Sequence, residues 1–144
     1  MELIPPDIQG AGRGDPVAGD EERRAEATPR VPRRRFTFDL SQSTRAAVIS
    51  LGGELDVVCA DTFKRRLAEA TEDEPDHLVI DLRELTFMDS TGLALLLAVN
   101  DMARDGGFTL TIVATEEGFP SKIFRMTGTD KILPLVEEPP DLDD

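Results

Sequence analysis

Residues 78–105, LVIDLRELTFMDSTGLALLLAVNDMARD, run from an apolar stretch through a short polar turn into a long apolar helix, and their reading decides the fold. Leu78-Val79-Ile80, followed by Asp81 and Leu82, has the length and β-branched content of a strand buried on both faces, as in parallel sheets covered by helices. Such a strand ends at the carboxyl edge of its sheet, where open α/β folds place their sites. From Leu93 the period changes, because Leu93, Leu96, Leu97 and Ala103 share one helical face. Asp105-Gly106-Gly107 supplies the stop. The turn Met88-Asp89-Ser90-Thr91-Gly92-Leu93 therefore opens a helix, where side-chain oxygens satisfy orphan N–H groups and the dipole favours negative charge.

Capping alone accounts for the Asp-Ser-Thr cluster, but two details go beyond it. Gly92 falls in the first helical turn, where glycine costs about 1 kcal/mol relative to alanine, so something must approach that turn closely. Leu95, Val99 and Met102 form a second apolar stripe, whereas a surface helix of a small domain normally shows one. Either a second layer of the same chain covers that stripe or a partner does.

At 144 residues the chain has room for one domain with some excess. Its formal charge of -13 argues against nucleic acid and anionic membrane surfaces as partners. The longest apolar run, Leu93 to Val99, is far short of the roughly 20 residues of a membrane span. Met1-Glu2-Leu3-Ile4-Pro5-Pro6 lacks the basic start and apolar core of a signal peptide. Cys59 is the sole cysteine, which excludes an intramolecular disulfide and an all-cysteine metal site. The expectation is a soluble, cytoplasmic protein.

The charge is not evenly spread. Residues 1–35 hold seven basic and seven acidic residues, five of the ten prolines and no aromatic residue, and are expected to form a disordered extension with nascent helix at 20–27. Arg33-Arg34-Arg35 is read as a solvated junction, with a docking patch as the alternative. The whole net charge then belongs to residues 36–144, where 9 basic residues face 22 acidic ones.

All seven phenylalanines lie in that second part, which marks the folded domain. Phe36 to Leu40 and Ala46 to Leu51 alternate as two strands around the polar turn Ser41-Gln42-Ser43-Thr44, which implies a hairpin. Gly52-Gly53 permits a bend or bulge before Glu54-Leu55-Asp56. A helix is predicted over 60–70 with Phe63, Leu67 and Ala70 inward, and His77 opens the central strand. Beyond the central helix come a strand over 108–113, a short helix over 120–126 broken by Gly128, and a last strand over 131–136 whose Pro134 fits an edge. Strands alternating with helices imply a mostly parallel sheet with right-handed crossovers and an antiparallel edge. Residues 137–144, five of them acidic and two proline, are expected as a frayed tail.

Catalytic chemistry finds little support. Ser90 would need a base, and the only histidine, His77, lies at the far end of the strand leading to it. No Gly-x-Ser-x-Gly elbow surrounds Ser90, and neither a phosphate loop nor a dinucleotide fingerprint is present. Glu54, Asp56, Asp81 and Asp89 could gather at one sheet edge, and Mg²⁺ needs few ligands, yet acidic loop residues are common and no metal or cofactor is expected.

Gly53-Glu54-Leu55-Asp56, Leu78 to Leu82, Leu85-Thr86-Phe87-Met88-Asp89-Ser90-Thr91-Gly92-Leu93 and Phe124 to Ile132 together resemble the STAS domain of bacterial anti-sigma factor antagonists, in order, over residues 36–136. The resemblance implies a single α/β domain: a mixed, mostly parallel sheet of four to five strands, an antiparallel edge hairpin and three to four helices. It also implies a switch protein without catalytic activity. The unmodified antagonist would bind an anti-sigma factor that is also a serine kinase, freeing a sigma factor; phosphorylation would end binding and a serine phosphatase would restore it. By motif position the acceptor is Ser90, with Thr91 as alternative because many members carry a second serine there. Glu54, Asp56, Asp89, Thr91 and Gly92, together with the stripe Leu95, Val99 and Met102, become the expected partner-binding residues. A scaffold or accessory subunit of a stress-signalling or transporter complex is the rival role, and the oligomeric state is compatible with a monomer or weak dimer. Cys59 stands where the family favours Thr, Ser or Asn; thiols cap poorly, so the helix it precedes is expected to fray. The acidic end replaces a carboxyl-terminal helix, leaving part of the sheet or central helix less covered.

Overall fold

The computed structural model describes residues 36–142. The extension over 1–35, its helix at 20–27, the Arg33-Arg34-Arg35 run and the last two residues of the tail lie outside them. The chain runs β1 (Thr37–Gln42), β2 (Ala46–Leu55), a 3-10 turn (Val57–Cys59), α1 (Ala60–Ala70), β3 (His77–Met88), α2 (Ser90–Gly106), β4 (Thr109–Val113), α3 (Phe119–Thr127), a second 3-10 turn (Thr129–Lys131) and β5 (Leu135–Val136). The five strands form one sheet in sequence order. β1 and β2 pair antiparallel, and every later pair is parallel.

Three successive right-handed crossovers that all advance in one direction set α1, α2 and α3 on the same face of the sheet. The burial pattern agrees. Leu78, Ile80 and Leu82 of β3 enter one core with Ile49 and Leu51 of β2, Ile112 of β4, Phe63 and Leu67 of α1, Leu96 and Val99 of α2 and Phe124 of α3. The Phe63 ring meets Phe38 edge-on at 6.1 Å, and the Arg66 guanidinium covers Phe38 from outside at 4.6 Å.

β3 continues six residues past Leu82, where the sequence pattern stops alternating. The reason lies in its pairing with β2: Ser50 faces Asp81 but Gly52 faces Glu84, and Gly53 faces Leu85 but Glu54 faces Phe87, so β3 carries an extra residue at each step. Buried positions therefore come at Leu82, Leu85 and Met88, three apart instead of two. Gly53 takes a left-handed φ of 80° within this region, as a bend or bulge at the glycine pair requires. The last strand is shorter than the sequence suggests: Pro134 has no N–H to give, its carbonyl accepts from Ile112 N at 2.9 Å, and the pairing begins after it. Its edge position is as expected.

The other face of the sheet, on which none of the described helices packs, carries Asp39, Ser50, His77, Asp81, Arg83 and Thr111 between buried Val79 and Val113. The described residues after β5 form no helix or strand. Glu138 acts on the Arg83 charge, and Asp141 and Leu142 share a cleft of about 260 Å³ with Arg45, Ala46, His77 and Thr109 at the opposite sheet edge. No helix among the described residues is long and apolar enough to cross a membrane.

Arg83 grips Asp81 through Nε and Nη2 at 2.8 to 3.2 Å. Partial burial pushes the Asp81 carboxyl up, but hydrogen bonds from the Arg83 side chain and backbone and its charge outweigh this and hold it below its ordinary value. A depressed carboxylate stabilises the fold above the unfolded-state value and loses that contribution as pH falls through the folded-state one. Arg83→Gln is accordingly expected to lower stability at pH 7 by no more than about 1 kcal/mol and to flatten the acid limb of the stability curve, measured by urea titration at stepped pH.

Candidate functional site at the carboxyl edge of the sheet

The ends of β2 and β3 meet at one atom. The Leu55 carbonyl accepts from Asp89 N at 3.3 Å, tying the β2 terminus to the residue that caps α2. Asp89 is the N-cap, extended in backbone, and its Oδ1 accepts from Gly92 N at 3.0 Å while its carbonyl accepts from Leu93 N. The helix therefore starts at Ser90, three residues before the apolar period begins, and Asp89 alone does the capping.

Gly92 faces inward against the same carbonyl. A Cβ there would lie 2.6 Å from Leu55 O and 3.1 Å from Leu55 Cγ. The close approach inferred from this glycine is made by the chain's own β2, not by a partner. Ser90, two positions earlier, is rotated about 200° around the helix and stands exposed. Among the described residues nothing hydrogen-bonds its hydroxyl. Thr91 is half-buried beside it.

Asp56 is buried and caps the 3-10 turn: its Oδ1 accepts from Val58 N at 3.0 Å, and its own N–H donates to Cys59 Sγ at 3.3 Å. The thiol lies 3.4 Å from both Glu54 O and Asp56 O and donates to one of them. Burial pushes the Cys59 thiol up, so it stays neutral at pH 7. Cys59 gives α1 no side-chain cap, as expected, but the turn it closes with Asp56 leads directly into that helix. Asp56 is thus committed to the backbone, and Glu54 is half-buried beside Phe87 in the register of β2 with β3.

Sequence reasoning missed the apolar part of this edge. Val57 and Val58 are 66% and 77% exposed at the turn, two and three residues beyond Leu55. Phe87 is half-exposed and stacks on Phe119 at 5.4 Å, which joins the end of β3 to the start of α3. The valine pair between an acidic turn and a helix start was a usable signal, whereas Phe87 was hidden by the broken alternation of β3.

Other expected site residues fall elsewhere. Leu95 and Val99 are 8% and 1% exposed in the core that α1 shares with α2, so the layer covering the second stripe belongs to this chain. Met102 is exposed but sits twelve residues along α2, about 18 Å from Ser90. Asp81 pairs with Arg83 on the opposite face of the sheet and does not join Glu54, Asp56 and Asp89. No group of three or more His, Cys, Asp or Glu among the described residues could hold a metal ion. His77 hydrogen-bonds Thr111 Oγ1 at 2.8 Å, at the opposite end of a twelve-residue strand about 40 Å long.

The fold has known relatives. The model of the STAS domain matches residues 37–141, and the chain belongs to that family. The anti-sigma-F factor antagonist RsfB of Mycobacterium tuberculosis is 35% identical over 66 residues, 46% of this chain and 54% of that protein. The chain thus spans about half the length of this relative. An anti-sigma-B factor antagonist of Bacillus subtilis is 28% identical over 100 residues, 69% of this chain and 90% of its own. Among solved structures, an anti-sigma factor antagonist from Mycobacterium paratuberculosis superposes with a TM-score of 0.64 at 28% identity, covering 72% of this chain and 87% of that one.

Gly92→Ala distinguishes helix propensity from packing. Propensity alone predicts a gain of about 1 kcal/mol, whereas overpacking against a backbone carbonyl costs about 1–3 kcal/mol. A net loss is expected in urea denaturation, because Leu55 O cannot move without releasing Asp89 N.

Proposed function

We propose that this chain is an anti-sigma factor antagonist that works by binding rather than catalysis, in the cytoplasm, and that phosphorylation of Ser90 switches the binding off. The observation that carries the proposal is Ser90 itself: exposed, with a hydroxyl that no described residue hydrogen-bonds, at the first position of α2, on an edge that also presents Val57, Val58 and Phe87. The antagonist names of the relatives support the same role. The partner would be an anti-sigma factor with serine kinase activity, and a serine phosphatase would reset the switch.

The chemistry follows from the surroundings. Exposed valines and a half-exposed phenylalanine supply apolar area that a partner can dehydrate. A phosphate at Ser90 adds roughly -1.5 to -2 charge and three acceptor oxygens. The amino terminus of α2 tolerates that charge, so the fold need not change. A docked partner would have to desolvate it next to the Asp89 carboxylate, which costs binding instead. Within this edge, Glu54, Asp89 and Thr91 remain contact candidates, while Asp56 and Gly92 hold it in shape. Thr91, being half-buried, is the poorer acceptor.

Incubation with the cognate kinase and ATP is expected to add one phosphate to the chain and to Thr91→Ala, and none to Ser90→Ala, read by intact-mass spectrometry. Ser90→Asp should weaken partner binding by roughly tenfold or more with an unchanged melting temperature. Stoichiometric phosphorylation of Ser90→Ala would overturn the site.

A further inference from the structure

The carboxyl-terminal ends of α1 and α2 enclose a feature that the Ser90 edge does not use. Between the two helices runs an almost wholly apolar crevice of about 280 Å³, lined by Phe63, Leu67, Ala68, Leu95, Ala98 and Met102. Met102, 41% exposed, also borders an open groove of about 700 Å³ whose walls include Glu74, Pro75, Asp76, Asp105 and Phe108. Crevice and groove therefore share one lining residue, a methionine, whose side chain is suited to adaptable apolar contact.

The mouth is built for positive charge. Thr71 caps the end of α1 and Gly107 the end of α2, so the negative ends of both helix dipoles face the same groove. Asp76 is paired with Arg45 at 2.9 Å, but neither Glu74 nor Asp105 has an ion pair among the described residues. At the crevice itself the charged neighbour is Lys64, of the opposite sign. This polarity orients an occupant, with apolar side chains in the crevice and a cation at the mouth.

We infer that the groove docks a basic amphipathic segment of a partner protein, through one or two apolar anchors and a lysine or arginine. Charge complementarity selects this occupant over residues 36–144 of a second copy, where 22 acidic residues against 9 basic ones would meet an acidic mouth. The groove opens at the sheet edge opposite Ser90, so docking there is independent of the phosphorylation state and of the function proposed above.

The test titrates the ¹⁵N-labelled full chain with a synthetic Leu/Lys amphipathic helix and with its Leu/Glu counterpart. The Lys peptide is expected to shift the amides of Thr71, Met102, Gly106 and Gly107 and to bind at least about tenfold more tightly than the Glu peptide. The double variant Glu74→Lys/Asp105→Lys should weaken it by roughly tenfold, whereas Glu116→Lys/Glu117→Lys, an equal charge change elsewhere on the surface, should weaken it less than about threefold. Met102→Gln should weaken it without altering charge, which keeps the test decisive should the double variant misfold. Equal weakening by both charge reversals, or shifts centred away from the groove, would reduce the effect to general attraction to an acidic protein and overturn the proposal. Concentration-dependent shifts of the same amides without peptide would assign the groove to a second copy and overturn it too.

Discussion

The carbonyl of Leu55 is the constraint on which the candidate edge depends. It accepts from Asp89 N, and it leaves no room for a side chain at position 92. Those two facts fix the rotation of α2 about its axis. With Gly92 turned inward, a residue two positions earlier must point away from the sheet, and that residue is Ser90. The exposure of the serine is thus a consequence of packing at the glycine. The same atom places the Asp56–Cys59 turn next to the start of α2, so that Val57 and Val58 share an edge with Ser90.

The two aspartates of this edge perform similar local work. Asp89 caps α2 by accepting from Gly92 N at 3.0 Å, and Asp56 caps the 3-10 turn by accepting from Val58 N at 3.0 Å and from the Cys59 backbone. Their carboxylates are acceptors already committed to the backbone, which leaves the edge acidic without leaving it pliable. A phosphate arriving at Ser90 would meet a fixed negative neighbour rather than one that can swing away. This favours a switch by local repulsion and desolvation over one by refolding.

Much of this was legible in the sequence because the responsible interactions are local. Cap chemistry exposed the turn at Asp89, β-branched density exposed β3, and glycine at Gly107 and Gly128 marked helix ends that adopt left-handed backbone in both cases. Residues whose meaning depends on distant partners were harder. Gly92 signalled a close approach, but only the fold shows that Leu55 makes it. Leu95 and Val99 looked like an uncovered stripe because α1, thirty residues earlier in the chain, supplies the cover. The length of β3 was hidden by its two extra residues opposite β2, which break the alternation that sequence reading relies on. The family resemblance named Ser90, yet it could not show that Asp56 is buried or that the neighbouring valines are exposed.

α2 joins two acidic ends that differ in the sign of the helix dipole. Its amino terminus carries Ser90 and, through Asp89, an anion already in place; its carboxyl terminus opens beside Glu74 and Asp105 and favours cations. Seventeen residues of helix hold these ends about 25 Å apart. Coupling between two sites needs an element with two arrangements, and α2 is packed through Leu95, Leu96, Val99 and Ala103 along its length. A rigid helix of this kind transmits position and not state. A partner held at the carboxyl end would stay held when the amino end is modified, and the modified edge would then be presented at high effective concentration to whatever acts on it next.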